Sequence, residues 1–230
     1  MNLIQKGHRH THRGIIGIES AIVLIAFVIV AAALAFVVLN MGFSTTQKAK
    51  TAIIAAVEEA GSSLEVAGKI TAVGQPSNNV LNATVIPLKI VSGGASSNLD
   101  GNYTSIKIIT NNIEYDNIYT FGPLFVGTYV NASAAWDAAV VKTWITAAEH
   151  PYTGTTNVPQ TLAIIYFTVN QNNNAILESG EHAVLTVAFA TNDRPASLEH
   201  VAWEVSPPNG APLTVDRTVP NITTRIIDLG

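Results

Sequence analysis

The sequence predicts an α+β chain: a long hydrophobic N-terminal α-helix followed by an antiparallel β-sandwich of immunoglobulin-like character. Three observations predict it. Ile15 to Leu39 is an apolar run carrying one charge, Glu19, and a helix apolar all round has to be buried in lipid or in protein. The stretch after it keeps three- and four-residue spacing of apolar side chains. From about Gly68 onward the apolar residues alternate with polar ones instead, the period of half-buried strands.

The first element is a short basic leader. Met1 to Gly14, MNLIQKGHRHTHRG, holds Lys6, Arg9 and Arg13 and no acid. Such charge keeps this end on the cytoplasmic side while the rest crosses. A secretory signal would have an apolar run of about 7–15 residues and then a small-residue cleavage site. Here the run is longer, and Gly14, the small residue at its border, precedes it. A cut there keeps the apolar helix in the mature chain. His8, His10 and His12 could hold a metal as a His-rich tract, but they also read simply as part of a positive leader.

The helix follows directly. The run from Ile15 suits a bilayer, which needs about 20 apolar residues. Asn40-Met41-Gly42 interrupts it, and a helical glycine costs about 1 kcal/mol relative to alanine, so a local bend or loosening is expected there. Beyond it Ala49, Ile53, Ala56, Val57, Ala60 and Leu64 share one side, with Lys48, Lys50, Glu58, Glu59 and Glu65 elsewhere. A single helix from Ile15 to about Val66 would be about 80 Å long. No domain of this size hides such a rod, so other copies of the chain must cover it. Gly17, Ala32 and Ala35 are small enough to let backbones approach. Glu19 is costly in an apolar setting unless paired. Once the chain is cut, its nearest positive charge is the new amine of Ile15, in the same chain or a neighbour; the other reading leaves it at the membrane interface.

These residues resemble a family. Arg13-Gly14 followed by Ile15-Ile16-Gly17-Ile18-Glu19 and a uniform apolar helix is similar to the processing region of archaeal flagellins (archaellins) and of their relatives, the type IV pilins. The similarity continues through Ala31 to Leu39 and Asn40 to Lys50, about a quarter of the chain in all. It implies that a prepilin-type leader peptidase cuts between Gly14 and Ile15. It also implies a precursor held in the cell membrane, then an extracellular filament built from this chain, alone or with related subunits, that serves swimming motility. Glu19 occupies the fifth mature position, where many archaellins have glycine and type IV pilins have glutamate. An adhesive archaeal pilin is therefore the alternative, and a membrane-anchored surface binding domain that never polymerises is a second.

The outer domain is expected over residues 67–230, after a leader of 1–14 and a polymerisation helix of 15–66. Ile86, Leu88 and Ile90 alternate with Pro87 and Lys89, Ile106 and Ile108 flank Lys107, and Val201, Trp203 and Val205 alternate with Ala202 and Glu204. Ala163 to Val169 and Ala183 to Ala190 read as buried strands. Turn signals separate these runs at Gly74-Gln75-Pro76, Ser92-Gly93-Gly94, Asp100-Gly101-Asn102 and Pro207-Pro208-Asn209-Gly210, the pattern of a sandwich. Ser133 to Glu149 is the exception: Trp136, Val140, Trp144 and Ala147 have helical spacing, with Ser133 as N-cap. The three tryptophans, Trp136, Trp144 and Trp203, read as packing residues.

Composition narrows the function. The chain has 12 basic and 16 acidic residues in 230, a net charge of −4. Without Lys6, Arg9 and Arg13 the basic count falls to 9 and the charge to −7. Nucleic-acid binding, which needs a basic face, is excluded. With no cysteine, disulfides and thiolate metal sites are excluded too. There is no nucleophile elbow, P-loop, zincin helix or dinucleotide fingerprint. Outside the leader, His150, His182 and His200 show no pairing with a nucleophile, and no enzyme or required cofactor is expected.

Two sets of polar residues remain. Asn170, Asn172, Asn174, Glu178 and Glu181 place oxygen side chains at positions one, three, five, nine and twelve of a calcium loop, with Ile176 at the carbonyl position, seven. Amides replace the first three carboxylates and Ala175 replaces the usual glycine at six, so any calcium site is weak; the other reading is an Asn-rich turn without an ion. The acceptor sequons Asn82-Ala-Thr84, Asn102-Tyr-Thr104, Asn131-Ala-Ser133 and Asn221-Ile-Thr223 would carry N-linked glycans on an exported chain, though an Asn- and Thr-rich chain also produces sequons by chance.

Overall fold

The computed structural model describes residues 13–60, 64–119, 125–142, 145–146, 150–152 and 158–230. The chain divides into two units, Met1–Ala55 and Ala56–Gly230.

Helix α1 (Arg13–Ala60) runs unbroken through Asn40-Met41-Gly42. Hydroxyls just beyond that point bond back onto their own helix: Thr45 Oγ1 donates to Met41 O at 2.8 Å, Thr46 Oγ1 to Gly42 O at 2.5 Å and Thr51 Oγ1 to Gln47 O at 2.9 Å. Such bonds to the carbonyl one turn back are a common setting for a hydroxyl inside a helix. The helix ends at Ala60, earlier than the period of its apolar side chains suggests. Leu64 to Val66, expected inside the helix, is a strand instead. Gly61-Ser62-Ser63 are poor helix formers. Leu64 falls four residues after Ala60 and mimics the helical stripe, but it is buried in the β-domain core.

The second unit contains β1 (Leu64–Val66), β2 (Thr71–Gln75), β3 (Val80–Ile90), β4 (Ser97–Asn98), β5 (Ser105–Thr110), β6 (Glu114–Tyr115) and β7 (Phe125–Thr128). Helix α2 (Ala132–Val141) follows, then β8 (Leu162–Val169), β9 (Ile176–Leu177), β10 (His182–Ala188), β11 (His200–Ser206), β12 (Leu213–Thr218) and β13 (Ile226–Asp228). Among the described residues the large sheet runs β13-β2-β3-β10-β8-β7, with β1 also on β3, the small sheet runs β12-β11-β5-β6, and β4 pairs with β9. No barrel closes among them.

Side-chain alternation explains the layering. Ile86 and Leu88 of β3, Ile165 and Phe167 of β8 and Leu185 and Val187 of β10 join Ile106, Ile108, Val201, Trp203 and Val205 of the small sheet in one buried cluster. That cluster is the core of the expected sandwich. The opposite face of β8 and β10, with Ile164, Tyr166 and Val184, packs with Ala135, Trp136 and Ala139 of α2 in a second cluster. Both faces of β8 are covered, so its sequence has no polar alternation until Thr168.

Two expectations change here. The sheets are mostly antiparallel, but β7 lies parallel to β8. Parallel neighbours need a long crossover, usually through a helix, and α2 sits in that connection. Helix α2 also starts earlier than Ser133 and stops before Glu149. Asn131 is its N-cap, its Oδ1 accepting from Ala134 N at 2.8 Å; asparagine is at least as strong a cap as serine, and it lies where the chain is still extended. Trp136 and Trp203 are fully buried, as packing residues should be; Trp144, Ala147 and Glu149 lie outside the described residues.

The strand irregularities have local causes. Pro87 lies in β3 between the residues paired to β1 and those paired to β2, and its carbonyl accepts from Ala67 N at 2.8 Å. The missing N–H of proline therefore faces a change of partner strand, not a continuous ladder. Pairing moves from Val73↔Ala83 to Gly74↔Leu81, leaving Asn82 as a bulge. At Gly74 an added Cβ would stand 2.5 Å from Ile227 Cδ1 and 2.6 Å from Ile222 Cγ2, so a side chain there would have to displace both isoleucines beside the β2–β13 pair.

Candidate assembly helix and surface loops

Among the described residues, helix α1 carries a row of exposed apolar side chains. From Ile18 to Val57 the large apolar side chains are exposed, Phe27 by 73% and Phe36 by 69%. The helix is long and apolar enough to cross a membrane. Gly14 and Ile15 lie in its first turn; their side chains, and the leader residues 1–12, lie outside the described residues.

Glu19 sits on the helix surface beside Val23 and Phe27, which follow at one-turn and two-turn spacing. Ala32 and Ala35 are neighbours one turn apart. At 3.6 residues per turn they project about 140° and 160° away from Glu19 around the axis. The structure therefore does not gather the assembly residues into one patch. It sets the carboxylate and the small-residue strip on opposite sides of the helix. Gly17 has open space around its Cα, so its lack of a side chain meets no need within the chain itself.

The Asn-rich loop from Asn170 to Glu181 joins β8 to β10 and contains β9, which is pinned by β4 through Ser97↔Leu177 and Asn98↔Ile176. Its oxygens face backbone N–H groups. Asn170 Oδ1 accepts from Asn173 N at 2.8 Å, Asn172 Oδ1 from Asn174 N at 3.2 Å, and Asn174 Oδ1 from Ile176 N at 2.7 Å. Glu181, 2% exposed, accepts from Gln171 N at 2.7 Å through Oε1 and from Glu178 N at 3.0 Å through Oε2. Asn173 takes φ 54° and Gly180 φ 91°, conformations suited to asparagine and glycine. The same device recurs at Glu199, whose Oε2 accepts from Ala196 N at 2.9 Å. In both places a buried carboxylate three residues on closes a turn, a role the calcium-loop spacing alone does not reveal. Among the described residues no group of three or more acidic or histidine side chains converges as a metal site.

The sequons differ in setting. Asn221 is exposed in the loop between β12 and β13. Asn102 is exposed, its Nδ2 donating to Asp100 Oδ1 at 2.8 Å. Asn131 caps α2. Asn82 lies in the bulge of β3 with its Oδ1 buried and unbonded.

Of the histidines, His200 pairs with Asp216 at 2.7 Å on the surface, and buried His150 lies 3.3 Å from Asp137 with its Nδ1 accepting from Tyr152 N.

A family model for archaeal-type flagellin matches residues 14–217. The chain is 37% identical over 209 residues to probable flagellin 1 of Aeropyrum pernix, covering 90% of this chain and 92% of the relative. It is 31% identical over 220 residues to probable flagellin 2 of Archaeoglobus fulgidus, covering 92% of each. Its fold is similar to archaeal flagellin FlaB1 from Methanocaldococcus jannaschii, with a TM-score of 0.53 at 18% identity over 72% of this chain and 95% of that one. The archaeal flagellum of Methanospirillum hungatei strain JF1 has a TM-score of 0.52 at 22% identity over 92% of this chain and 98% of that one.

Proposed function

The chain belongs to the archaeal-type flagellin family, and from that premise we propose how it reaches the filament. It is a structural subunit of the archaellum filament, which decides between the flagellin and adhesive-pilin readings. The observation that carries the proposed route is α1 itself: an unbroken helix whose apolar residues are exposed along its length. Water is the costly surrounding for it, at about 25 cal/mol for each Å² of apolar surface. The helix therefore waits in the bilayer with its basic leader inside the cell. A prepilin-type leader peptidase cuts between Gly14 and Ile15, and the mature helix then moves from lipid to a sheath of other copies. Each subunit offers one side of its rod to the next, and a rotation that does not close yields an open filament. The β-domain faces water, and glycans on Asn102 and Asn221, the freer sequons, suit that exposure. For the Asn170–Glu181 loop, the committed oxygens favour a turn that closes without calcium.

N-terminal sequencing of protein sheared from cells tests the route. The expected first residue is Ile15; a chain starting at Met1 in filaments overturns it. Removal of residues 1–63 should leave a soluble monomer, and filaments from that truncated chain would remove the role given to α1.

A further inference from the structure

We propose that Asn209, in the β11–β12 turn, is a site of spontaneous covalent modification, converting to aspartate and isoaspartate through a cyclic imide. The reaction needs three things: a side-chain amide that is not held, a following residue without a side chain to block approach, and a main-chain N–H free to act as nucleophile. Asn209 precedes Gly210, the one asparagine–glycine step in the chain. Asn209 is exposed and Gly210 half-buried, with φ 88°. No hydrogen bond among the described residues holds the Asn209 amide or the Gly210 N–H. The last register pair of the hairpin is Val205↔Leu213, and Pro208, Asn209 and Gly210 form a bend between the strands.

Other asparagines in turns and caps are held. Asn131 Oδ1 caps α2, Asn98 Oδ1 accepts from Asp100 N, and Asn117 Oδ1 accepts from Ile106 N and Tyr119 N. The related aspartate–glycine step at Asp100-Gly101 is also held, because Asp100 Oδ1 accepts from the N and Nδ2 of Asn102. Asn209 is thus the position where the asparagine–glycine step coincides with an exposed, unheld amide.

The steps balance. The Gly210 nitrogen attacks Asn209 Cγ, a C–N bond forms, and ammonia leaves with the nitrogen's proton. Water then opens the five-membered imide at either carbonyl. Opening at the side-chain carbonyl gives aspartate; opening at the main-chain carbonyl gives isoaspartate, with one more methylene in the backbone. Either product adds one negative charge at the tip of the hairpin. Trp203 and Val215 pack inside the core, so the fold survives.

The test uses the full-length protein, incubated warm at mildly alkaline pH and mapped by peptide mass spectrometry with isoaspartate detection. The expected result is acid at Asn209 with isoaspartate as the larger share, and loss of that isoaspartate in Asn209→Gln, whose ring closure is unfavourable. Gly210→Ser, which crowds the nucleophile, should slow it. An unconverted Asn209 beside converted asparagines elsewhere overturns the proposal. So does an undiminished isoaspartate content in Asn209→Gln.

Discussion

The Tyr119 hydroxyl donates to the Leu99 carbonyl oxygen at 2.7 Å inside the β-domain core. Both residues are buried, and the bond fastens the turn leading into β5 to the segment leaving β6. Removing the hydroxyl strands a buried carbonyl, which costs about 1–3 kcal/mol. Tyr119→Phe should lower the urea midpoint of a β-domain lacking α1 without changing its m-value. An unchanged midpoint would mean that water or a shift in the backbone replaces the bond.

Alkaline pH should destabilise the same domain. Burial pushes the Tyr119 and Tyr152 hydroxyls well above the usual tyrosine range, Asp100 adding to the effect at Tyr119, and burial pushes Tyr166 up to about 12. The folded pKa values are raised, so the contribution is fully present below the unfolded value of about 10 and is lost as pH rises towards the folded values. Each tyrosine lowers stability by about 1.4 kcal/mol per pH unit across its window. Denaturant titrations at pH 9 and pH 11 should differ accordingly; a flat profile would contradict the buried settings.

Glu19→Ala should assemble poorly. Removing one partner of a buried charge pair typically costs roughly 3–5 kcal/mol, and in the filament the Ile15 amine would be the partner left behind. The measurement is filament mass recovered by shearing, against membrane-bound mature chain. Normal yield would place Glu19 at the membrane interface instead.

Ala32→Leu with Ala35→Leu should block growth through a different neighbour, since these residues lie on the far side of the rod from Glu19. Overpacking costs about 1–3 kcal/mol per site. The doubly substituted chain should keep the thermal transition of its β-domain yet give no filaments. Filaments of normal number and diameter would show that this side of α1 is not closely packed.

Glu181→Ala should lower the melting temperature of the β-domain with or without calcium, because the Gln171 and Glu178 N–H groups lose their acceptor, at about 1–3 kcal/mol for each group left buried. Millimolar calcium should leave the unsubstituted domain unchanged. A calcium-dependent rise that Glu181→Ala abolishes would establish the ion-binding reading of the loop.

What the sequence determined by itself was the division of labour. The apolar run of α1 and the switch to alternating residues are one-dimensional signals, because a long all-apolar run and a two-residue period each point to one type of element. The buried strand β8 was legible for the same reason: Ala163 to Phe167 has no polar face because both faces are covered. Tertiary structure decided the rest. Leu64 satisfies a helical period and a strand period equally, and only pairing with Ile90 of β3 settles which it obeys. The start of α2 depended on whether Asn131 or Ser133 holds the extended cap. The parallel β7–β8 pair depended on a crossover that no local pattern encodes. The Asn170–Glu181 oxygens have calcium-loop spacing in the chain, but their directions follow from the backbone. Spacing fixes which residues can meet, whereas the hydrogen bonds available once the chain has turned decide what each oxygen faces.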